Sequence, residues 1–233
     1  MTRRSDEIAE GLSRVRDRIE VASSSCGRDP AEVTLVVVTK FFPASDVAIL
    51  ADLGVTDVGE NRHQEAQAKA AECAELRLTW HFIGGLQSNK AAAVASYADV
   101  VESVDRAKLV VGLSRGAHAR SHAIDCLLQV SLDPAGTSGR SGALPAEIPA
   151  LAATVSGAGM LRLRGLMAVA PLGEDPAAAF ARLAPVRAGL LAEHPEATWL
   201  SAGMSGDLEQ GIAAGATHVR VGSAILGPRP SIK

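Results

Sequence analysis

T-L-V-V-V-T-K at positions 34–40, followed by F-F-P at 41–43, is the stretch from which the fold reads outward. Leu35 to Val38 are four large apolar residues in a row, without polar alternation. Such a run predicts a strand buried on both faces. Pro43 suits the first turn of a helix, where a missing N–H costs nothing. Lys40 therefore ends a buried strand where the chain leaves the sheet. Desolvation there disfavours the ammonium form, and a neutral amine attacks aldehydes and forms Schiff bases. The competing reading is a strand-end lysine that snorkels to solvent, the commoner case.

The same strand-then-helix unit recurs along the chain. Further strands are expected at 56–61, 79–84, 98–104, 125–132, 161–169, 198–203 and 218–226, with helices between them at 43–53, 62–76, 88–96, 106–119, 144–156, 176–191 and 207–214. Strands alternating with helices give a parallel sheet. Eight of them predict one closed (β/α)8 TIM-type barrel, a single domain over residues 1–233. An open doubly wound sheet is second choice, because no G-x-G-x-x-G follows the first strand. The eighth helix is missing from this reading. Ahead of the first strand, residues 5–26 form an extra N-terminal helix, with Ile8, Leu12, Val15 and Ile19 on one face and Gly27 at its stop. That helix would cover the gap or seal the barrel floor. Arg14, Arg16 and Arg18 read as its solvated face.

Composition narrows the function classes. The net charge is −3 and no long basic run occurs, which speaks against nucleic acid. Arg3 and Arg4 are followed by Asp6, Glu7 and Glu10, unlike a transit peptide. No apolar run approaches a membrane span. Cys26, Cys73 and Cys126 are odd in number and widely spaced, which fits reduced thiols in the cytoplasm better than disulfides or zinc. His118 and His122 stand at i, i+4 without a third ligand nearby, so they read as a solvated helix end. With aromatics at 3%, the core has to be built from Val, Leu, Ile and Ala.

A (β/α)8 barrel works at the C-terminal ends of its strands. That rule selects Lys40, Glu60 and Asn61, His81 with Gly84 and Gly85, Ser201 with the loop Met204-Ser205-Gly206, and Arg220 with Gly222 and Ser223. Loops after strands seven and eight often hold phosphate. Ser205 and Gly206 stand just before a helix start, where open N–H groups attract anions. Gly222 and Ser223 add backbone and hydroxyl donors, and Arg220 adds positive charge. Singly, Ser205 reads as an N-cap and the glycines as turns; on one rim they read together as a phosphate site. A lysine and a phosphate site on one rim suit a phosphorylated aldehyde. Pyridoxal phosphate is one candidate, and the phosphosugar substrates of aldolases are another.

Several motifs now join into a resemblance. V-V-V-T-K-F-F-P, G-E-N (59–61), W-H-F-I-G-x-L-Q-S-N-K (80–90), R-L-R-G-L-M-A (162–168), G-M-S-G-D (203–207) and G-A-T-H-V-R-V-G-S-A-I-L-G (215–227) are similar, in order and spacing, to the pyridoxal phosphate homeostasis protein family. The resemblance implies a barrel like the N-terminal domain of alanine racemase that binds pyridoxal 5′-phosphate. It implies that Lys40 carries the cofactor as a Schiff base, that Ser205, Gly222 and Ser223 contact the phosphate beside Met204, and that Asn61 lies near the ring. Arg220 matches an arginine beside the cofactor, facing either the ring nitrogen or the phosphate. The family often has Phe at the position of Leu226, and the 134–142 loop is richer in Gly and Ser than expected and lacks a lysine.

Family members have no established catalysis and are regarded as carriers or regulators in vitamin B6 and amino-acid homeostasis. The implied partners are therefore the cofactor and apo enzymes that use it, with the chain a monomer or weak dimer. The alternative is an amino-acid racemase or related enzyme on the same cofactor. A racemase needs a second base on the other face of the carbanion. The related racemases take it, a tyrosine, from a C-terminal domain. Here Tyr97 precedes strand four and is expected at the opposite end, so His81 or Cys126 would have to serve. His81, between Trp80 and Phe82, reads instead as a barrel-interior histidine satisfied by a neighbour. An arginine at the ring nitrogen would also keep that nitrogen unprotonated and weaken the electron sink. The carrier or regulator is the expected function.

Overall fold

The computed structural model describes residues 3–133 and 141–228. Eight parallel strands, β1 (Thr34–Val38), β2 (Asp57–Glu60), β3 (Thr79–Phe82), β4 (Val100–Val104), β5 (Ile124–Val130), β6 (Leu161–Ala168), β7 (Trp199–Met204) and β8 (His218–Val221), close into a barrel in chain order. Closure is made by β1 pairing with β8, Thr34 opposite His218 and Val37 opposite Val221. Val36, Val37 and Val38 are buried, as the unbroken apolar run requires of a strand with barrel interior on one side and helices on the other. One register shift falls between Cys126 and Leu127, where Arg164 is the extra residue on β6. The next residue, Gly165, has φ 153°, and a Cβ there would lie 1.8 Å from the carbonyl oxygen of Trp199. Only glycine lets β6 approach β7 that closely.

The helices are α1 (Arg3–Ser25), α2 (Ala44–Asp52), α3 (His63–Glu72), α4 (Ala91–Val94), α5 (Ala107–Arg120), α6 (Ile148–Ser156), α7 (Pro176–Ala181), α8 (Leu183–Glu193), α9 (Leu208–Ala213) and α10 (Ser223–Leu226). Three expectations change. The helix expected at 176–191 is two, parted at Arg182. The strand expected to run to Leu226 stops at Val221, and the chain turns at Gly222 into α10, one turn of helix that fills the apparent vacancy after β8. Lys40 lies two residues beyond the end of β1 rather than on it.

The α1 helix covers the β8–β1 seam. Its face of Ile8, Leu12, Val15 and Ile19 is buried. A Cβ on Gly11 would stand 2.5 Å from the carbonyl oxygen of Ile225, so α1 and α10 meet backbone to backbone. Arg4 ties the three helices at this seam together, donating to Asp46 of α2 at 2.6 Å and to the carbonyl of Leu226 at 3.1 Å. Arg18 is only partly solvated: it pairs with Glu209 of α9 and donates to the carbonyl of Ser205. The aliphatic stem lets an arginine outside the apolar face reach a neighbouring element. His118 and His122 diverge, His118 to the carbonyl of Ser114 on its own helix and His122 toward Asp99.

The barrel interior is polar at its centre. His81 on β3, Glu102 on β4, Ser201 on β7 and Arg220 on β8 are each at most 4% exposed. They bond across the barrel, since β4 and β7 are not neighbours in the sheet. Buried charges persist only when paired and hydrogen-bonded, and here two basic groups meet the carboxylates of Glu102 and Asp57.

Candidate functional site

At the C-terminal rim, a cavity of about 350 Å³ opens between the ends of β1, β7 and β8. Lys40, Met204, Ser205, Arg220, Gly222 and Ser223 all line it, so six of the residues selected from the sequence converge on one space. The volume is ordinary for a small-ligand site. Val38, Phe42 and Ile83 supply apolar walls, and Gly206 and Gly227 complete the lining. Among the described residues, Lys40 and Arg220 and no carboxylate line the space, which favours an anion. Asn61 does not line it. It follows β2 beside Gly84, and its Oδ1 is buried without a hydrogen-bond partner among the described residues.

The loop after β7 is shaped by Asp207. Its carboxylate accepts the N–H of Met204 at 2.6 Å, and Asp207, rather than Ser205, occupies the position before α9. That leaves Ser205 and Gly206 at the cavity. Gly206 has no atom within 4 Å of where a Cβ would stand, so the backbone of this turn is open to a ligand. From outside, Arg18 holds the Ser205 carbonyl at 3.1 Å. Gly222 is needed on the other side, where a Cβ would lie 3.0 Å from the carbonyl oxygen of Val38.

Arg220 reaches inward, toward the barrel axis. It donates to Ser201 Oγ at 2.5 Å and to the carbonyl of Ala168, at the end of β6, at 2.9 Å. Burial pulls its guanidinium below the ordinary value, while the Glu102 and Asp207 carboxylates act the other way. Below it, His81 places Nδ1 2.8 Å from Glu102 and Nε2 3.0 Å from Asp57. Burial alone would lower the His81 pKa, but these two carboxylates outweigh it and raise it to about 9. Glu102 is held at about 2, since its bonds to His81 and Ser201 and the charge of Arg220 overcome burial. His81 is thus the satisfied interior histidine expected of it.

Lys40 is set by its neighbours in sequence. The carbonyl of Thr39 accepts from Lys69 Nζ at 2.9 Å, and the N–H of Phe41 donates to Glu65 Oε1 at 2.5 Å. Phe41 has φ 71°, in the left-handed region that a non-glycine residue rarely takes. Lys69 and Glu65 gave no sequence signal beyond their i, i+4 spacing in an alanine-rich helix, which normally marks a solvated face. Yet Lys69 is 5% exposed, driven in by the buried Glu60.

The other alternative base, Cys126, and the tyrosine Tyr97 lie elsewhere. Cys126 is buried on β5, and burial pushes its thiol up to about 12. Tyr97 stacks on His63, 5.9 Å between ring centres, and does not line the cavity.

The chain is similar to known proteins along nearly its whole length. The alanine racemase N-terminal domain family matches residues 11–230. The pyridoxal phosphate homeostasis protein of Pseudomonas aeruginosa is 44% identical over 222 residues, covering 95% of this chain and 96% of that protein. The structure of PipY from Synechococcus elongatus with pyridoxal phosphate bound superposes with a TM-score of 0.81 at 37% identity, over 94% of this chain and 100% of PipY. Alanine racemase from Corynebacterium glutamicum, at 16% identity and a TM-score of 0.65, shares the fold over 98% of this chain and 63% of that enzyme.

Proposed function

The chain belongs to the family of pyridoxal phosphate homeostasis proteins, built on the alanine racemase N-terminal domain, and we propose that it binds pyridoxal 5′-phosphate as an intracellular carrier or regulator of that cofactor. The observation that carries this reading is the shared cavity: Lys40 and the two glycine-serine turns line the same 350 Å³ space. When bound, the cofactor supplies an aldehyde that condenses with an amine, a conjugated pyridine ring and a phosphate dianion.

The residues fit that group. Ser205 and Gly206 on one side, and Gly222 and Ser223 on the other, would hold the phosphate, with space left at Gly206. Lys40 would supply the amine for the covalent link. Val38, Phe42 and Ile83 would flank the ring. Arg220, anchored to Ser201 and to the carbonyl of Ala168, would face the ring of a bound cofactor, where a guanidinium would donate to the ring nitrogen and keep it unprotonated. Asn61 sits beyond the cavity margin.

Racemisation needs a second base opposite Lys40. Among the described residues lining the cavity none is a tyrosine, histidine or cysteine. His81 is saturated by two carboxylates, and Cys126 is buried with its thiol pKa pushed up to about 12. This supports storage and delivery over turnover, with apo enzymes of the cytoplasm as recipients and the chain a monomer or weak dimer. No helix among the described residues is long and apolar enough to cross a membrane.

The test is to load the protein with pyridoxal phosphate, reduce it with borohydride and map the adduct by mass spectrometry. The adduct is expected on Lys40 and lost in Lys40→Ala. Hydrogen–deuterium exchange at Cα of alanine and serine is expected to stay near the rate of the free cofactor. An adduct on another lysine would overturn the covalent assignment. Exchange at 1 s⁻¹ or faster, within the range of enzymes, would put racemisation first. Mixing the loaded protein with an apo enzyme is expected to restore that enzyme's activity.

A further inference from the structure

We propose that Lys69 and Glu65 of α3 are positioning residues that aim Lys40 into the cavity. The inference rests on the reading of Lys40 as the cofactor lysine. Its ground is that the two peptide groups flanking Lys40 are each held by one of this pair. Lys69 Nζ donates to the carbonyl of Thr39 at 2.9 Å, and Glu65 Oε1 accepts the N–H of Phe41 at 2.5 Å. The pair is joined to itself at 3.1 Å, and to Glu60 Oε1 through Lys69 at 2.5 Å. The same Glu60 oxygen accepts the Thr39 hydroxyl at 2.6 Å.

These bonds oppose a local preference. A phenylalanine at φ 71° is disfavoured, and such conformations persist where the surroundings over-determine them. Here the determinant is a charge-assisted bond to the strained residue's own N–H, the stronger class of hydrogen bond. Released from Glu65, Phe41 would relax toward negative φ. The peptide between Lys40 and Phe41 would turn with it, and the Lys40 side chain would leave its direction. The buried Ala66 and the Lys69–Glu60 pair anchor α3 to the barrel, while the bonds to Thr39 and Phe41 reach the turn that carries Lys40.

The experiment separates aim from fold and from phosphate capture. Pyridoxamine 5′-phosphate has the ring and phosphate but no aldehyde, so its affinity reports the cradle alone. Glu65→Ala and Lys69→Met are expected to slow borohydride-trapped coupling at Lys40 by at least about tenfold, the order of loss that follows misplacement of a reacting group. Their affinity for pyridoxamine 5′-phosphate is expected to change less than about twofold. Glu65→Gln, which keeps an acceptor for Phe41, is expected to retain most of the coupling rate. If Lys69→Met fails to fold with Glu60 left unpaired, Lys69→Met with Glu60→Gln replaces it. Equal losses of coupling and of pyridoxamine phosphate affinity would reduce the pair to a structural role and overturn the proposal, as would unchanged coupling. A second arm uses the ligand-free protein: the acetylation rate of Lys40 relative to Lys108, read by mass spectrometry, is expected to shift in Glu65→Ala and Lys69→Met but not in Glu65→Gln. That arm decides the proposal even if wild-type protein couples the cofactor at another lysine, an outcome that would sink the cofactor-lysine reading instead.

Discussion

His81 Nδ1 lies 2.8 Å from Glu102 Oε1 at the centre of the barrel, the shortest link of a charged line that runs from Asp57 to Arg220. This line makes stability depend on pH in a definite direction. The His81 pKa is raised from 6.5 to about 9, so its contribution is complete below 6.5 and is lost as pH rises through 9. The difference is worth on the order of 3 kcal/mol. His218, lowered to about 4 by burial, contributes above 6.5 and loses that contribution as pH falls through 4. Glu102, lowered to about 2, loses its contribution below 4.5. Urea unfolding between pH 6 and 10 is expected to show stability falling on the alkaline side, and His81→Gln is expected to flatten that fall while lowering stability at pH 6.5. A wild-type curve that stays level from 6.5 to 9 would mean His81 is neutral in the fold.

On the proposed reading, Arg220 faces the ring of the cofactor and not its phosphate. Its bonds to Ser201 and Ala168 point it at the barrel axis, so Arg220→Ala is expected to weaken pyridoxal and pyridoxal phosphate by a similar factor. A lost charge-assisted bond costs about 1.5–3 kcal/mol, or one to two decades of affinity. Titration of both ligands checks this. A loss seen only with the phosphorylated ligand would move Arg220 to the phosphate.

Gly206→Val tests the cradle. The Cβ position is unobstructed, so stability is expected to change by no more than about 0.5 kcal/mol. Affinity for pyridoxal phosphate is expected to drop while that for pyridoxal holds. Calorimetric titration of both ligands, beside a melting curve, gives the answer, and an unaffected pyridoxal phosphate affinity would place the anion elsewhere.

Gly11→Val tests the seam. A Cβ at Gly11 would lie 2.5 Å from the Ile225 carbonyl oxygen and 2.9 Å from the Ile225 Cα, and backbone cannot swing aside as a side chain can. The expected cost is about 1–3 kcal/mol in urea unfolding. Because α10 begins at Ser223, affinity for pyridoxal phosphate should fall as well. Unchanged unfolding would show that α1 rides loosely on α10.

The alternation of apolar runs with amphipathic segments determined the barrel, because side-chain periodicity is local and survives without any knowledge of partners. The same holds for Lys40, Ser205, Arg220 and Ser223: each lies near the end of a recognisable strand or just after it, and strand ends on a parallel barrel share one rim. Local patterns failed wherever a side chain's fate depends on something distant in sequence. Arg18 sits on the polar side of α1 yet bonds Ser205 and Glu209, 187 and 191 residues away. Lys69 stands in a helix that reads as solvated yet is buried, because Glu60 awaits it inside. One turn of α10 was invisible, since four residues carry no period. Asn61 is selected both by its place after strand two and by family resemblance, and the chain path after β2 sets it beside Gly84. Sequence alone thus set which chemistry gathers at the rim, whereas the direction of each charged group came from pairings that only closure of the barrel brings within hydrogen-bond reach.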